Sequence, residues 1–315
     1  MDTDLLSAAL RDTGLSRRLL DLSELGSGKA LRFPCERSIG LHAVLRGQVH
    51  LHAPGLPEPL VLEHGDVAVM ARGCDHVLSV QPSLQGLAVE RIGVRNPAPV
   101  DPSAHTGTVL SSAYQLWHTP LHPFFSEMPA WSVLRASELP RLGPLALLGG
   151  LLQAELGGSQ PGVDMATQGL LDLLFTYALR EVMARCANAR AGWSQAVRDP
   201  QVGRVLALMH DQPAHAWTLD ELARRAGLSR TALAERFRQA MGDTPLNHLR
   251  TLRMQRAMKL LSETSQPLEA VATTVGYQDA FSFSKVFKRT VGASPRAFRQ
   301  QDAAERNMAW RFQAG

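Results

Sequence analysis

The chain has 315 residues, of which 45% are apolar and 20% are charged. This length predicts two domains, because a single hydrophobic core stops growing near about 250 residues, and the apolar content excludes a wholly disordered chain. The 3 cysteines are too few for a disulfide scaffold and indicate a reducing compartment. The sequence shows neither the ~20-residue apolar run of a membrane span nor a basic-then-apolar leader. We therefore expect a cytoplasmic protein without a membrane partner.

Charge is distributed unevenly along the chain. Residues 200–315 hold 17 Lys/Arg and 10 Asp/Glu, whereas residues 1–199 hold 16 and 19. The C-terminal third therefore carries a net charge of +7 and the remainder −3. A basic domain joined to a mildly acidic body indicates a polyanionic partner, although many domains with neutral partners carry a similar excess.

The N-terminal half begins with a predicted helix over residues 4–25 and continues with short apolar runs separated by Pro and Gly. Such runs are typical of an antiparallel sandwich or barrel. The predicted strands are Leu31–Phe33, Ile39–Leu45, Gln48–Ala53, Leu60–Leu62, Val67–Met70, Val77–Val80 and Leu87–Val94. Residues 97–140 are then predicted to form a loop rich in Pro, His and Trp.

Two predicted helices follow this loop, at Leu145–Leu156 and Val163–Asn188. Their apolar faces either lie in the core of the domain or join two copies of the chain, and we expect the second arrangement. Residues 191–199 then form a predicted linker to the basic third.

The basic third contains an internal repeat. Three residues reappear 49 positions later: Leu219, Ala223 and Gly227 as Leu268, Ala272 and Gly276. Three more reappear 50 positions later: Phe237, Gly242 and Pro245 as Phe287, Gly292 and Pro295. Each copy is predicted to be a short helix, a Gly turn and a second helix, the geometry of the helix-turn-helix motif that reads the DNA major groove. A single copy is equally compatible with an ordinary helical hairpin, and the duplication favours DNA binding.

Residues 245–263 are predicted to form one helix that connects the two copies. Its predicted core side chains are Leu246, Leu249, Leu252, Met254, Ala257, Leu260 and Leu261. At ~1.5 Å per residue it is about 28 Å long. It can therefore hold the two reading helices about one DNA turn apart, ~34 Å, so that a monomer reads two successive major-groove segments. Its basic side serves phosphate contact or simple solvation, and consists of Arg250, Arg253, Arg256 and Lys259.

The segment from about residue 199 to residue 299 resembles the DNA-binding domain of the AraC/XylS family of bacterial transcription regulators. The similarity is strongest at residues 275–277, 283–289, 292–295 and 298–299, and it includes residues 222–223 and 228–229. The resemblance implies a DNA-contacting set of Ser229, Arg230, Thr231, Ala234, Glu235, Arg238, Ala280, Phe281, Ser282, Lys285, Lys288 and Arg289. Helical spacing predicts that Phe283 and Phe287 face inward and that Phe281 is exposed. An exposed Phe281 suits a thymine methyl group, and Arg230 and Arg238 are expected on phosphates.

The strand region resembles a cupin barrel. Gly65, Gly73 and His76 follow the second cupin motif, and the first motif keeps His42 but has Val44 where a second His belongs. A cupin metal centre needs three or four ligands, and here two remain, with Cys74 as a candidate third. We therefore expect no metal and no cofactor.

The whole layout resembles the cupin-type sensor branch of the AraC family, some members of which respond to hypochlorite through cysteines. This resemblance implies an effector, either a small molecule or an oxidant, with Cys35, His42, Cys74 and His76 as the candidate sensor residues. An exposed thiolate near Arg37 or Arg72 would be oxidisable, whereas buried thiols would be inert. The resemblance also implies a homodimer, RNA polymerase as a partner, activation of transcription, and no enzymatic activity.

The predicted fold class is α+β, with an antiparallel cupin-like barrel and a helical pair before an all-α domain that holds two helix-turn-helix motifs. The predicted boundaries are a sensor barrel with its N-terminal helix at 1–140, a helical dimerisation segment at 141–190, the linker at 191–199, the DNA-binding domain at 200–301 and a tail at 302–315. The predicted function is a sequence-specific transcription regulator that binds double-stranded DNA. Two alternatives remain: a metal-dependent cupin enzyme fused to a DNA-binding domain, and a non-specific architectural protein.

Overall fold

The computed structural model describes residues 4–12, 17–35, 38–92, 107–115, 122–156, 160–186 and 192–306. The chain divides into two compact units. Among the described residues, those within 17–115 and 128–183 form the sheet unit, and those within 4–12, 122–127 and 184–306 form the helical unit. The predicted α+β class is confirmed.

The strands of the sheet unit, within the described residues, are β1 (Arg17–Leu25), β2 (Lys29–Pro34), β3 (Ser38–Arg46), β4 (Val49–His52), β5 (Leu60–Leu62), β6 (Val67–Met70), β7 (Asp75–Ser79), β8 (Ala88–Arg91), β9 (Gly107–Gln115) and β10 (Trp131–Leu134). They form two five-stranded sheets, in the orders β1-β9-β3-β6-β10 and β5-β4-β7-β2-β8. Strand pairs are antiparallel except β2 with β8. Apolar side chains such as Phe33, Val44 and Leu51 form the core of this unit.

The predicted strands between residues 31 and 80 are confirmed to within 2 residues at each end. The predicted helix over residues 4–25 is wrong beyond its first part, because residues 17–25 form β1. This strand pairs with β9 from Leu25 opposite Gly107 onwards, so a partner about 80 positions away in the sequence determines its conformation. The predicted loop at 97–140 is also wrong where it contains β9 and β10.

Two helices complete the sheet unit: α3 (Pro144–Leu156) and most of α4 (Val163–Cys186). Helix α3 packs on β3, which lies in the middle of its sheet and is buried along most of its length. On α4, the ring of Phe175 stacks on that of Tyr114 at 4.2 Å between centroids, and the Tyr114 hydroxyl bonds Asp172 at 3.1 Å. Both helices match the predicted stretches closely.

The helices of the helical unit, within the described residues, are α1 (Leu5–Asp12), α2 (Pro123–Glu127), α5 (Trp193–Ala196), α6 (Pro200–Asp211), α7 (Leu219–Ala226), α8 (Arg230–Met241), α9 (Pro245–Glu263), α10 (Leu268–Thr274), α11 (Ala280–Val291) and α12 (Pro295–Arg306). Helix α1 packs on α6 and α9 and buries Leu5 and Leu6. The unit therefore includes α1 and α2, which sequence alone placed with the barrel. Among the described helices, none combines the length and apolar content that crossing a membrane requires.

Helix α9 spans the predicted 19 residues between the two copies of the repeat. Most of its predicted core side chains are buried, including Leu249, Leu252 and Met254. Leu246 was expected to point inward and is instead 42% exposed, because it lies in the first turn, where the helix has just left the loop after α8. The predicted linker at 191–199 contains α5, whose Trp193 is buried.

Candidate nucleic-acid interface

Helices α7 and α8 form the first copy of the repeat. Thr218 caps α7 by accepting a hydrogen bond from the amide of Glu221 at 3.1 Å. Ser229 caps α8 in the same way, accepting from the amide of Ala232 at 3.2 Å. Between the helices, Gly227 has φ +69°, a left-handed conformation that a residue with a Cβ rarely adopts. These local features fix where the second helix of the motif begins.

The outer face of α8 is free of the core. Leu233 and Phe237 are fully buried and anchor the helix. The predicted contact residues lie on the opposite side: Ser229, Arg230, Thr231, Glu235 and Arg238 are exposed and Ala234 is half-buried. Arg230 lies 3.8 Å from Asp220 in an ion pair that is about two-thirds exposed, so water weakens it and the arginine is available to a phosphate.

Helices α10 and α11 repeat this arrangement. Gly276 has φ +84° in the turn, and Asp279 takes the place of Ser229 as the cap. The Asp279 carboxylate accepts from the Ser282 amide at 2.7 Å and from the Ser282 hydroxyl at 2.8 Å. Hydrogen bonds to the charged form hold the pKa of Asp279 below its usual range. The Ser282 hydroxyl therefore donates within the protein, and its lone pairs remain for a DNA base.

The outer face of α11 is the more unusual of the two reading faces. Phe283 and Phe287 are fully buried, whereas Phe281 is 81% exposed. Ser282, Lys285, Lys288 and Arg289 are exposed beside it, and Ala280 is half-buried. Phe281 is thus exposed to water in the first turn of the helix and is surrounded by cations. An apolar group for a base and cations for phosphates are the side chains that suit contact with DNA. Direct contact of these residues with DNA stays a prediction.

Two of the four candidate sensor residues meet inside the sheet unit. The Nε2 atoms of His42 and His76 lie 2.7 Å apart, His42 Nδ1 lies 2.8 Å from the Ser111 hydroxyl, and His76 Nδ1 lies 2.9 Å from the Cys74 carbonyl. A carbonyl only accepts, so His76 donates from Nδ1 and accepts at Nε2. His42 then donates from Nε2 and accepts from Ser111. The result is a closed chain of neutral groups.

Burial keeps both histidines of this chain neutral. It lowers the pKa of His76 to about 4 and holds the pKa of His42 well below its ordinary value, with His76 adding a smaller effect of the same sign on His42. The cupin resemblance implies a metal ion bound by His42 and His76. The two ring nitrogens that would bind it are hydrogen-bonded to each other, and the described residues contain no group of three His, Cys, Asp or Glu side chains arranged as metal ligands. The residues present do not fit such a metal.

The two candidate cysteines flank neighbouring strands: Cys35 directly follows β2 and Cys74 directly precedes β7. In the antiparallel pair of β2 and β7, Phe33 is opposite His76 and Pro34 is opposite Asp75. Cys35 and Cys74 lie one residue beyond this last pair, Cys35 in the core of the sheet unit and Cys74 packed against it. Burial raises the pKa of Cys35 to about 12 and also raises that of the half-buried Cys74. Of the two arrangements that the sequence leaves open, Cys35 therefore takes the buried one, and Arg37 lies outside the described residues.

Comparison with known proteins agrees with this geometry. A cupin family model matches residues 4–184, more than half of the chain, and a helix-turn-helix domain model matches residues 222–301. An AraC-like transcription regulator of Streptomyces antibioticus is 27% identical over 303 residues, which cover 90% of this chain and 95% of the relative. The chain belongs to the AraC-type transcription regulators that carry an N-terminal cupin domain.

Other AraC-type proteins match parts of the chain. The RCS-specific HTH-type transcriptional activator RclR of Escherichia coli K12 is 36% identical over 150 residues, 48% of this chain and 52% of RclR. The crystal structure of the DNA-binding domain of AdpA in complex with a target DNA is 31% identical, covers 34% of this chain and 96% of that domain, and has a TM-score of 0.33.

The roles of two residues in and beside the reading motifs were not predicted from the sequence. Asp279 was placed in the turn and not identified as the cap of α11, although an Asp immediately before an apolar helical run is a readable helix start. Arg253 was assigned to the basic side of α9, whereas its guanidinium bonds the carbonyl oxygens of Pro213 and His215. No sequence signal identifies that contact, because backbone carbonyls carry no side-chain signature.

Proposed function

We propose that this protein is a sequence-specific transcription regulator in which α8 and α11 enter two successive major grooves of double-stranded DNA. The observation that carries the proposal is the repeated design of the helical unit. Each second helix begins at a side-chain cap, is anchored by two fully buried side chains, and presents an exposed outer face. The two helices flank the single helix α9.

Selection of genomic DNA fragments by the purified full-length protein tests this function. We expect a small set of fragments, bound at least about a thousandfold more tightly than random duplex of equal length, the usual range for specific regulators. A ratio near one would instead identify a non-specific architectural protein. The genes beside the selected fragments would also indicate the signal.

Dimerisation through α3 and α4 is part of the proposal. Leu147 and Leu151 are 52% and 53% exposed and lie one turn apart on α3, and Leu173 on α4 is 49% exposed. A second copy of the chain is a partner that would cover such an apolar face. Sedimentation of a Leu147→Glu and Leu151→Glu double variant should give half the mass of the parent. Leu142→Glu, at an exposed residue that precedes α3, is the matched control, and an unchanged mass in the double variant would contradict the assignment.

We further propose that the sheet unit responds to an oxidant by joining Cys35 to Cys74. The two cysteines lie one residue beyond the last pair of an antiparallel ladder, in which opposed residues have Cα atoms about 4.5–5.5 Å apart, within the ~4.4–6.8 Å range of disulfides. Hypochlorous acid would transfer chlorine to the Cys74 sulfur with loss of water. The Cys35 sulfur would then displace chloride and lose its proton. The resemblance to the sensor branch, some members of which respond to hypochlorite through cysteines, supports this class of signal over a small-molecule ligand.

Peptide mass mapping tests the disulfide. After treatment with hypochlorite, we expect a Cys35–Cys74 linked peptide whose mass is lower by two hydrogens, and we expect the change in DNA binding to disappear in Cys35→Ser and in Cys74→Ser. Cys186→Ser is the control, because that residue lies in the helical unit at the end of α4. Unchanged DNA binding by the oxidised wild type would favour a small-molecule effector.

Activation through RNA polymerase completes the proposal and rests on the family resemblance. Run-off transcription from a selected promoter fragment should increase several-fold when the protein and its signal are both present. A decrease would identify a repressor. The alternative of a metal-dependent cupin enzyme receives no support from the described histidines, and metal analysis of the purified protein tests it directly.

A further inference from the structure

Arg253 lies near the middle of α9 and contacts both the loop before the first copy of the repeat and the turn of the second copy. On one side, Nε donates to the carbonyl of Pro213 at 2.7 Å and Nη2 donates to that of His215 at 2.8 Å. These carbonyls belong to the loop between α6 and α7, which leads into the first motif. On the other side, the guanidinium carbon lies 5.7 Å from the ring centroid of Tyr277, in the turn of the second motif.

The loop that accepts from Arg253 is itself held firmly. The Trp217 amide donates to the His215 carbonyl at 2.8 Å, so this oxygen accepts from two donors. The Trp217 indole N–H donates to the Gln212 carbonyl at 3.0 Å. The His215 ring packs edge-on against Trp217 at 4.3 Å. Movement of Arg253 would therefore be transmitted to the start of α7.

The turn on the other side is equally well anchored. The Tyr277 amide donates to the Ala272 carbonyl at 2.9 Å, and its ring packs on Phe283, a core residue of α11, at 5.6 Å between centroids. The backbone of this turn also contacts the backbone of the loop before the first motif. A Cβ added to Gly276 would lie 2.6 Å from the Ala214 carbonyl oxygen.

We propose that Arg253 is a positioning residue that fixes the second reading helix relative to the first, so that the protein selects DNA by the spacing of two half-elements. A guanidinium suits this task, because its planar fork of donors binds two carbonyl oxygens while its face packs on an aromatic ring. Lysine keeps the charge but cannot reproduce the fork. This inference rests on the proposed function, since it requires both motifs to bind DNA at once.

The test measures affinity for three duplexes. The first is a duplex selected from a random library by the wild-type chain, and the others carry one base pair inserted or deleted between its two protected segments. One added base pair rotates the second half-element by about a tenth of a turn. We expect the wild type to prefer the original spacing by about tenfold or more, the cost of a disrupted half-element. Arg253→Lys should reduce this preference to about threefold or less.

Two matched variants show whether spacing is the property that changes. Arg250→Ala removes an exposed cation from the same helix, and should weaken binding to all three duplexes by one factor. Gly276→Ala should lose the spacing preference with Arg253 intact, because its Cβ pushes against Ala214. Gly292→Ala is its control, since Gly292 has a similar φ of +88° but open space around the added Cβ.

The outcomes separate the two claims. If the wild type prefers one spacing and Arg253→Lys keeps that preference, Arg253 does not position the motifs, and the two-groove function stands. If the wild type shows no spacing preference, the two-groove function fails and this inference fails with it. Amide hydrogen exchange confirms that Arg253→Lys is folded, and we expect faster exchange at residues 215–217 and 277 with unchanged protection inside α8.

Discussion

The two helix-turn-helix motifs share a skeleton and differ in their reading faces. In each turn, a backbone amide bonds the carbonyl five residues earlier, Leu228 to Ala223 and Tyr277 to Ala272, both at 2.9 Å. Both reading helices end at a glycine in the left-handed conformation, with φ +71° and +88°. Residues that build the turn and the helix ends are therefore retained between copies, because the backbone geometry requires them.

The outer faces carry different chemistry at matching positions. Thr231 in the first motif corresponds to Phe281 in the second, and Glu235 corresponds to Lys285. The first face is thus polar with an acidic group, whereas the second is apolar and cationic. Folding places no constraint on these exposed side chains. The difference indicates that the two motifs read different half-elements, and each prediction below tests one part of that comparison.

The largest effect is expected for a residue of the shared skeleton. Phe287→Ala should lower the free energy of unfolding by about 3–5 kcal/mol, because Phe287 is fully buried and its removal leaves a cavity. Phe281→Ala, the same substitution one and a half turns earlier, should change stability by less than about 0.5 kcal/mol, since its ring is 81% exposed. Urea denaturation measures both. Equal losses would mean that Phe281 packs in the core and reads no DNA.

The hydrophobic cores of the two motifs should differ in how their stability depends on pH. His248 packs on Phe237 at 5.8 Å in the first motif, and Phe298 packs on Phe287 at 5.7 Å in the second. Burial lowers the pKa of His248 to about 3, with His210 adding to the decrease and Asp243 opposing it. The unfolded chain, with a His pKa near 6.5, therefore binds a proton that the folded chain excludes. The contribution of neutral His248 to the free energy of unfolding is therefore present above about pH 6.5 and decreases as the pH falls, by about 2 kcal/mol at pH 5.

His248→Phe, which copies the residue of the second motif, isolates this contribution. Urea denaturation of wild type and variant at pH 7 and pH 5 should show a smaller acid-induced loss in the variant, by about 2 kcal/mol. His122 is also fully buried in this unit with a lowered pKa, so some acid sensitivity remains in both proteins. The same loss in wild type and variant would show that His248 does not titrate on unfolding.

The two reading faces should differ in whether they contact a thymine methyl group. Phe281→Ala should weaken binding to a selected duplex by tenfold or more, roughly 1–3 kcal/mol for a lost base contact. Replacing thymine by uracil at the second half-element should cause a similar loss in wild type and little further loss in the variant. Thr231→Ala is the control in the first motif, and its smaller loss should be insensitive to uracil in the second half-element. Equal sensitivity of wild type and Phe281→Ala to uracil would refute the methyl contact.

The features of the two motifs that depend on neighbouring residues could be predicted from the sequence alone. The caps, the turn glycines and the buried pairs were predictable because each depends on residues within about one helical turn. The strands between residues 31 and 80 were predictable for a similar reason, since Pro and Gly mark their ends. The exposure of Phe281 followed from helical spacing once Phe283 and Phe287 were assigned to the core.

Features that depend on distant partners could not be predicted in this way. Strand β1 has a helix-like apolar pattern and becomes a strand only by pairing with β9. The bonds from Arg253 end on backbone carbonyls about 40 positions away, which leave no trace in the side-chain pattern. The meeting of His42 and His76 required the cupin resemblance, and their 2.7 Å contact required the structure.

The smallest effects should come from two lysines of α11 that differ in their expected DNA partners. Lys285 matches Glu235 of the first motif and is expected on a base edge, whereas Lys288 matches Arg238 and is expected on a phosphate. Lys285→Ala should weaken the selected duplex by about tenfold, relax one base position and spare random DNA. Lys288→Ala should weaken both duplexes alike and flatten the dependence of log affinity on log salt by about one. Arg238→Ala should behave as Lys288→Ala does, because the phosphate side of the two motifs is the part of the reading faces that they share. If Lys285→Ala instead weakened selected and random DNA equally, both lysines would contact phosphate, and Phe281 would remain as the residue through which the second face distinguishes bases.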